Sequence, residues 1–476
     1  MSVNGKILKL AVPSILANIT VPIVGMADIA VAGHLDSAGS DTASSAAMAD
    51  PVSTATMIGG IAIGTMLFDL LYWNFGFLRV GTGGLTAQAC GRGDMREGAS
   101  ILSRALGIAL ACSAVLIAIQ WLFVKGAFLF VDATPQVKEL ASQYFFIRIW
   151  AAPATLSLMA FKGWFIGMQD GVSPMITDLT VNVMNVLMSI VLALGLHLGA
   201  FSFDGVGFKG IAAGTVAAQY TGLTVAVSIL LLKYRKKVFE GFSAASLAGV
   251  FKGGETRRFF SMNADLFIRS LCFIGIYIGF TTLAAHYGDL VLAEGSILMK
   301  LMMTFSYFTD GFAYAGEAMA GRYIGSKNRA GLVSTVKYVF IWSMGIAALF
   351  MVLYGVAGMP MLRIMTSDAE VVEMCRPYLP WLLLMPVIGC AAFTWDGIYI
   401  GATSARTMRN AMIWATAGFF LTYLAGIALA GIGVKNAAGV SGPTALHILL
   451  AAYFVHLLAR TVHLSLRYRK VVLSQI

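Results

Sequence analysis

Long apolar runs separated by short polar connectors recur along the whole chain, and they predict helices near 7–33, 51–80, 100–124, 138–164, 173–198, 206–232, 258–285, 289–321, 332–357, 371–400, 409–432 and 443–466. A helix needs about 20 mostly apolar residues to cross a hydrocarbon layer, because every backbone polar group must be satisfied inside the segment. The pattern therefore predicts an all-α polytopic membrane protein of about twelve transmembrane helices, with no stretch left for a sizeable soluble domain. The first run follows Lys6 and Lys9, as a signal peptide would, yet it extends from Ala11 to Gly33 and carries Asp28, so it reads as a retained first helix.

Composition agrees with the pattern: 58% of the residues are hydrophobic and 12% charged, and the mean hydropathy is +0.81. The net charge of +10 would suit nucleic acid. Its placement argues otherwise. With the N-terminus inside, 22 Lys and Arg fall in the connectors on the cytoplasmic side and 6 on the other, so both termini are expected in the cytoplasm and no nucleic-acid partner is expected. The five cysteines are scattered and odd in number, and the six histidines are dispersed, which predicts neither a disulfide framework nor a metal site. No Gly-x-x-x-x-Gly-Lys-Ser/Thr loop is present to cradle ATP, and no nucleophile-and-base arrangement points to an enzyme.

Sliding the chain over itself by 234 residues sets Lys162-Gly163-Trp164-Phe165-Ile166-Gly167 on Asp396-Gly397-Ile398-Tyr399-Ile400-Gly401, and Tyr144 on Tyr378. The match falls at the end of the fourth helix of each half. Six helices per repeat is an even number, so the halves share one orientation and are related by a pseudo-two-fold axis along the membrane normal. The expected organisation is an N-terminal six-helix lobe (1–232), a cytoplasmic basic linker (233–257) and a C-terminal six-helix lobe (258–476), with a cavity between the lobes.

Charged and polar residues inside the apolar runs are the candidates for function, since each costs about 2.5–3.5 kcal/mol at a helix centre unless partnered. Asp28 has no basic residue within one helical turn, which makes it a candidate for taking up and releasing a coupling ion, the alternative being a protonated acid hydrogen-bonded to a neighbouring helix. Pro22 removes the donor for the carbonyl of Asn18 and so predicts a bend. In the fifth helix Asp178, Asn182, Asn185 and Ser189 share one face, with Thr215 of the sixth able to complete the stripe; it reads as cavity lining, with Asp178, Asn182 and Asn185 expected beside Asp28 in cation coupling and Ser189 and Thr215 towards the substrate, and interhelical hydrogen bonding is the alternative use of such residues. Asp265 and Arg269 are four apart and read as a structural ion pair. The eighth helix presents Lys300, Thr304, Tyr307, Gly311 and Tyr314 on one face, with Asp310 and Glu317 close by, either lining the cavity or pairing with Arg269. Arg148, Lys162, Asp69, Glu294 and Asp396 read as packing or boundary charges.

Three stretches carry a family resemblance: Gly84-Leu85-Thr86-Ala87-Gln88-Ala89; Asp310-Gly311-Phe312-Ala313-Tyr314-Ala315-Gly316-Glu317-Ala318; and Asp396-Gly397-Ile398-Tyr399-Ile400-Gly401-Ala402-Thr403 with Met408-Arg409-Asn410. They resemble the DinF-like branch of the multidrug and toxic compound extrusion (MATE) family, over nearly the whole chain. The resemblance implies a two-lobe exporter of the bacterial inner membrane that trades small molecules for protons or sodium ions. It matches the family's first-helix carboxylate to Asp28, a bend-forming proline to Pro13 and the fifth-helix asparagine to Asn185. Thr215 stands where the family often has a threonine beside the acid. Many members carry an Asp where this chain has Ser189, so a two-carboxylate site is not expected here unless Asp178 substitutes at another depth.

The sodium-coupled branch places acids midway along the seventh and tenth helices. Here those helices offer only the Asp265–Arg269 pair and Asp396 near an end, so proton coupling is favoured. The expected function is secondary active efflux of amphipathic small molecules by cation antiport, without a bound cofactor, by a monomer surrounded by lipid. A flippase for a lipid-linked precursor, which would use a basic cavity, and sodium-coupled export are the alternatives.

Overall fold

The computed structural model describes residues 2–38, 54–129, 131, 133–198, 201–235, 254–365, 369–432 and 440–476. Most of the expected linker, 236–253, lies outside the described residues. The described chain holds twelve helical spans long and apolar enough to cross a membrane: Val3–Ala32, Thr56–Arg92, Met95–Ala127, Pro135–Gly167, Val172–Leu194, Phe208–Lys233, Thr256–Ala285, Asp289–Gly325, Arg329–Met365, Glu370–Gly401, Ala405–Gly431 and Gly442–Gln475. They are called spans 1 to 12 below.

The largest departure from the expected boundaries is span 2, which runs twelve residues past position 80 to Arg92. The added stretch holds glycines at 81, 83, 84 and 91. In the structure they are helical and let the backbone approach spans 7, 8 and 10 closely. Span 1 is interrupted at Thr20, between helices Val3–Ile19 and Val21–Ala38. The interruption sits two residues before Pro22, whereas the helix passes through Pro13 unbroken. Span 5 ends at Leu194 rather than 198, because Gly195 adopts φ 91°, and a two-stranded hairpin follows, β1 (Leu196–Leu198) antiparallel to β2 (Phe201–Phe203).

The repeat is written into the backbone. Gly93 and Lys327, which end spans 2 and 8, both have positive φ and stand 234 positions apart; so do Gln169 and Thr403, which end spans 4 and 10 among non-glycine residues. The capping bonds follow the same offset. Asp94 N–H bonds Ala89 O where Asn328 N–H bonds Tyr323 O, and Asp170 N–H bonds Phe165 O where Ser404 N–H bonds Tyr399 O. A Cβ on Gly163 would sit 2.1 Å from Arg79 O, and one on Gly397 would sit 2.1 Å from Ala313 O, so the same close helix crossing recurs in each half.

Each half has its own apolar core. In the first half it gathers around Phe68, Tyr144, Phe145 and Leu156, in the second around Phe305, Tyr354, Met385 and Leu450. A third cluster, including Val80, Leu85, Met262, Ile400 and Met408, lies between the halves. Polar contacts cross there too. Gln88 Nε2 donates to Gly401 O at 3.0 Å, Arg322 donates to Gln169 Oε1, and Trp342 Nε1 donates to Asn4 Oδ1 at 2.6 Å. Further along, Asn18 Nδ2 donates to Tyr307 O at 3.2 Å and Trp73 meets Tyr277 edge-on. The halves are thus joined at the end marked by Arg92, Gln169, Arg322 and Thr403. Towards the other end Asp69 of span 2 and Lys300 of span 8, both exposed, interact only through their fields.

Asp170, in the turn between spans 4 and 5, anchors the end of span 6. Its carboxylate accepts from Lys233 Nζ at 2.7 Å, from Tyr234 Oη at 2.7 Å, from the Ser173 hydroxyl and from Ser173 N–H at 3.1 Å. Burial alone would push its pKa up, but these bonds hold the carboxyl below its ordinary value. A depressed folded-state pKa means that the stabilisation is fully present above the unfolded value and is lost as pH falls through the folded one. Asp170→Asn is expected to lower stability at pH 7 by about 2 kcal/mol, the scale of a charged hydrogen-bond set. In thermal unfolding of the solubilised protein, the gap between wild type and variant should close below about pH 4. A gap independent of pH would contradict this account.

Candidate functional site

Four of the expected residues meet inside the first half. Asp28 is buried at 7% exposure, beside Asn185, Ser189 and Thr215 at 3%, 0% and 2%. The Ser189 hydroxyl lies 3.2 Å from Asp28 Oδ1, 3.4 Å from Asn185 Oδ1 and 3.4 Å from Ile211 O; its single proton serves one of them at a time. Asn185 Nδ2 donates to Thr215 Oγ1 at 3.1 Å. The face of span 5 puts these groups in register, and the group joins spans 1, 5 and 6. One turn away, Asn182 Nδ2 bonds Thr20 Oγ1 at the interruption of span 1, 2.5 Å apart.

No cation stands next to Asp28 along its own helix, but span 4 brings one into electrostatic reach. Arg148 acts on both Asp28 and Asp69. It bonds the Tyr144 hydroxyl at 3.0 Å and lies 4.9 Å over the ring of Phe68. Of the two readings open for Arg148, packing or boundary charge, these contacts fit packing, and they place it in the surroundings of the acid.

The other expected residues take separate places. Asp178 is drawn into an ion pair with Lys162 at 2.7 Å, away from the Asp28 group. At about 1.5 Å rise per residue the eleven positions between Asp178 and Ser189 correspond to roughly 16 Å along the helix, so one compact site cannot hold both. Tyr314 of span 8 lies under two cations from the first half, Arg79 at 4.5 Å and Lys162 at 5.8 Å. Tyr307 is half-buried and Lys300 exposed on the same span.

The expected Asp265–Arg269 pair is replaced by two longer-range ones. Asp265 bonds Arg409 of span 11, while Arg269 joins Arg460 of span 12 on one oxygen of Asp396 in span 10. Spacing of four permits a local pair but does not compel it, and a partner from a packed neighbouring helix gives better burial and geometry. Sequence reading also missed Arg79, which bonds Glu317 at 3.1 Å. The two lie 238 positions apart, and no local pattern links them. Among the described residues no group of three or more His, Cys, Asp or Glu could hold a metal ion.

Comparison with known proteins follows the same lines. The MatE family model matches residues 52–191 and 266–424. The chain is 34% identical over 415 residues to the DNA damage-inducible protein F of Escherichia coli (strain K12), covering 87% of this chain and 84% of that protein. Among solved structures, an outward-facing conformation of a multidrug resistance MATE family transporter of the MOP superfamily superposes with a TM-score of 0.78 at 14% identity, covering 100% of this chain and 97% of the other. The Vibrio cholerae MATE transporter VcmN in its bent form gives 0.76 at 14% identity, covering 100% and 98%.

Proposed function

The chain belongs to the MatE family of multidrug efflux transporters, and from that premise we propose that it exports amphipathic small molecules by antiport against protons, with Asp28 as the proton carrier. The observation that carries the choice of ion is the Ser189 hydroxyl. When Asp28 is ionised, Ser189 donates to its Oδ1, 3.2 Å away. When Asp28 is protonated, the acid donates to Ser189 Oγ, and Ser189 turns its own proton to Asn185 Oδ1 or Ile211 O, each 3.4 Å away. Both protonation states are satisfied without moving a helix, which keeps a buried carboxyl from being left unpaired in either.

In this reading both termini are cytoplasmic in a bacterial inner membrane, and the joined end of the two lobes faces the cytoplasm, so the conformation is outward-facing. The lobes comprise 1–232 and 258–476, linked by 233–257, and one copy suffices. Cargo held at Tyr307 leaves between them, past Asp69 and Lys300, while Ser189 and Thr215, buried inside the first lobe, serve the proton rather than the cargo. Tyr314, already covered by two cations, is a weaker platform for a cationic cargo than Tyr307.

Transport by the purified chain in liposomes tests the proposal. With a panel of amphipathic dyes, an imposed pH gradient is expected to drive dye movement and a sodium gradient alone is not. Movement driven by sodium alone would assign coupling to that ion. Flipping of a lipid-linked precursor, with no dye moved by either gradient, would establish the flippase reading instead.

A further inference from the structure

Among the described residues, every ion pair but one joins two groups of the same half. Arg92–Glu97, Lys162–Asp178 and Lys233–Asp170 lie in the first; Arg269–Asp396, Arg460–Asp396, Arg376–Glu373 and Arg409–Asp265 lie in the second. The exception is Arg79 of span 2 with Glu317 of span 8, 3.1 Å apart, their side chains 16% and 0% exposed. A movement of one half against the other leaves all the others intact and breaks this one.

The form of the pair suits reversible use. Glu317 accepts from Arg79 through Oε2 only, and its buried Oε1 has no partner. That oxygen rests against Gly83, where a Cβ would come within 1.8 Å of it. Asp396, by contrast, is tied by two guanidiniums within its own half. A single buried bond between opposite charges resists removal of either partner, because the survivor is left uncompensated. It yields when water enters, because both ions are then solvated. Its strength thus depends on the seal that surrounds it, made by Gln88 with Gly401 and by Gln169 with Arg322.

We propose that Arg79 and Glu317 form an ionic latch that holds this end of the molecule shut and that each transport cycle breaks when the halves part there. The latch goes beyond the assignment of coupling ion and cargo, and its test does not use transport, so either can fail without the other.

Hydrogen exchange on the full chain in lipid nanodiscs reads it. In Arg79→Gln and in Glu317→Gln, amides of 84–92 and 318–325 are expected to exchange at least about tenfold faster, while the cores of spans 9 and 10 keep their protection. The double variant is expected to exchange no faster than the faster single one. Arg79→Lys, which keeps the charge for a one-bond contact, is expected within about threefold of wild type. Unchanged exchange at those amides in the single variants overturns the latch, as does acceleration spread equally over the whole chain, a double variant equal to the product of the singles, or Arg79→Lys as fast as Arg79→Gln.

Discussion

Asp28→Asn is expected to reduce proton-driven dye export to the level of empty liposomes while the chain still inserts, folds and binds dye. Asparagine has nearly the shape of the acid and keeps both an acceptor for Ser189 and a donor, so the buried group at the meeting of spans 1, 5 and 6 loses no packing. What it loses is the capacity to gain and release a proton. Because Ser189 can face either way, the proposed change of protonation would leave the Asn185–Thr215 bond in place; the variant would be held in one of its two arrangements. Equilibrium dye binding and export against a pH gradient, measured on the same preparation, separate coupling from recognition. Export at the wild-type rate by the Asn variant would remove Asp28 from the mechanism.

The second large effect is expected at Gly84. A Cβ there would stand 2.2 Å from the carbonyl oxygen of Ile400, in the other half. Overpacking of this kind costs about 1–3 kcal/mol when side chains can give way, and here the obstacle is backbone. Gly84→Val should therefore keep the halves from meeting at their joined end while leaving each half folded. Dye export should be lost, and maleimide should modify Cys90, half-buried on the same span, faster than in wild type. Gly163→Val makes an equally close contact, 2.1 Å from Arg79 O, but within one half. It should reduce the yield of folded protein instead. If Gly84→Val exported dye normally, or if both variants failed by loss of folded protein, the division between contacts within and between halves would be wrong.

Much of this architecture is legible in the order of residues, because bilayer thickness imposes a length on every apolar run and a single offset of 234 aligns the halves. The first-half site is legible too, since one helical face carries Asn182, Asn185 and Ser189. Legibility ends where the partner comes from a distant part of the chain. Arg409 reaches Asp265 across 144 positions and Arg269 reaches Asp396 across 127, so spacing within one helix points to the wrong partner. The second part of span 2 fails for a different reason. Glycine is a poor helix former in water, but between helices its missing side chain allows backbones to touch, and in a membrane that gain outweighs propensity.

The repeat also bears on self-association. At the offset of 234, Lys162 corresponds to Asp396, Arg79 to Ala313 and Glu317 to Gly83. Two copies of the first half placed face to face would therefore set Arg79 against a glycine, and two copies of the second would set Glu317 against an alanine. Neither like-with-like assembly can form the cross-half bond, and each would bury its own sign of charge twice without relief. Placing complementary groups at non-equivalent positions of the two halves makes each half a partner for the other and a poor partner for itself, so pairing of unlike halves is encoded in the side chains as well as enforced by the continuity of the chain.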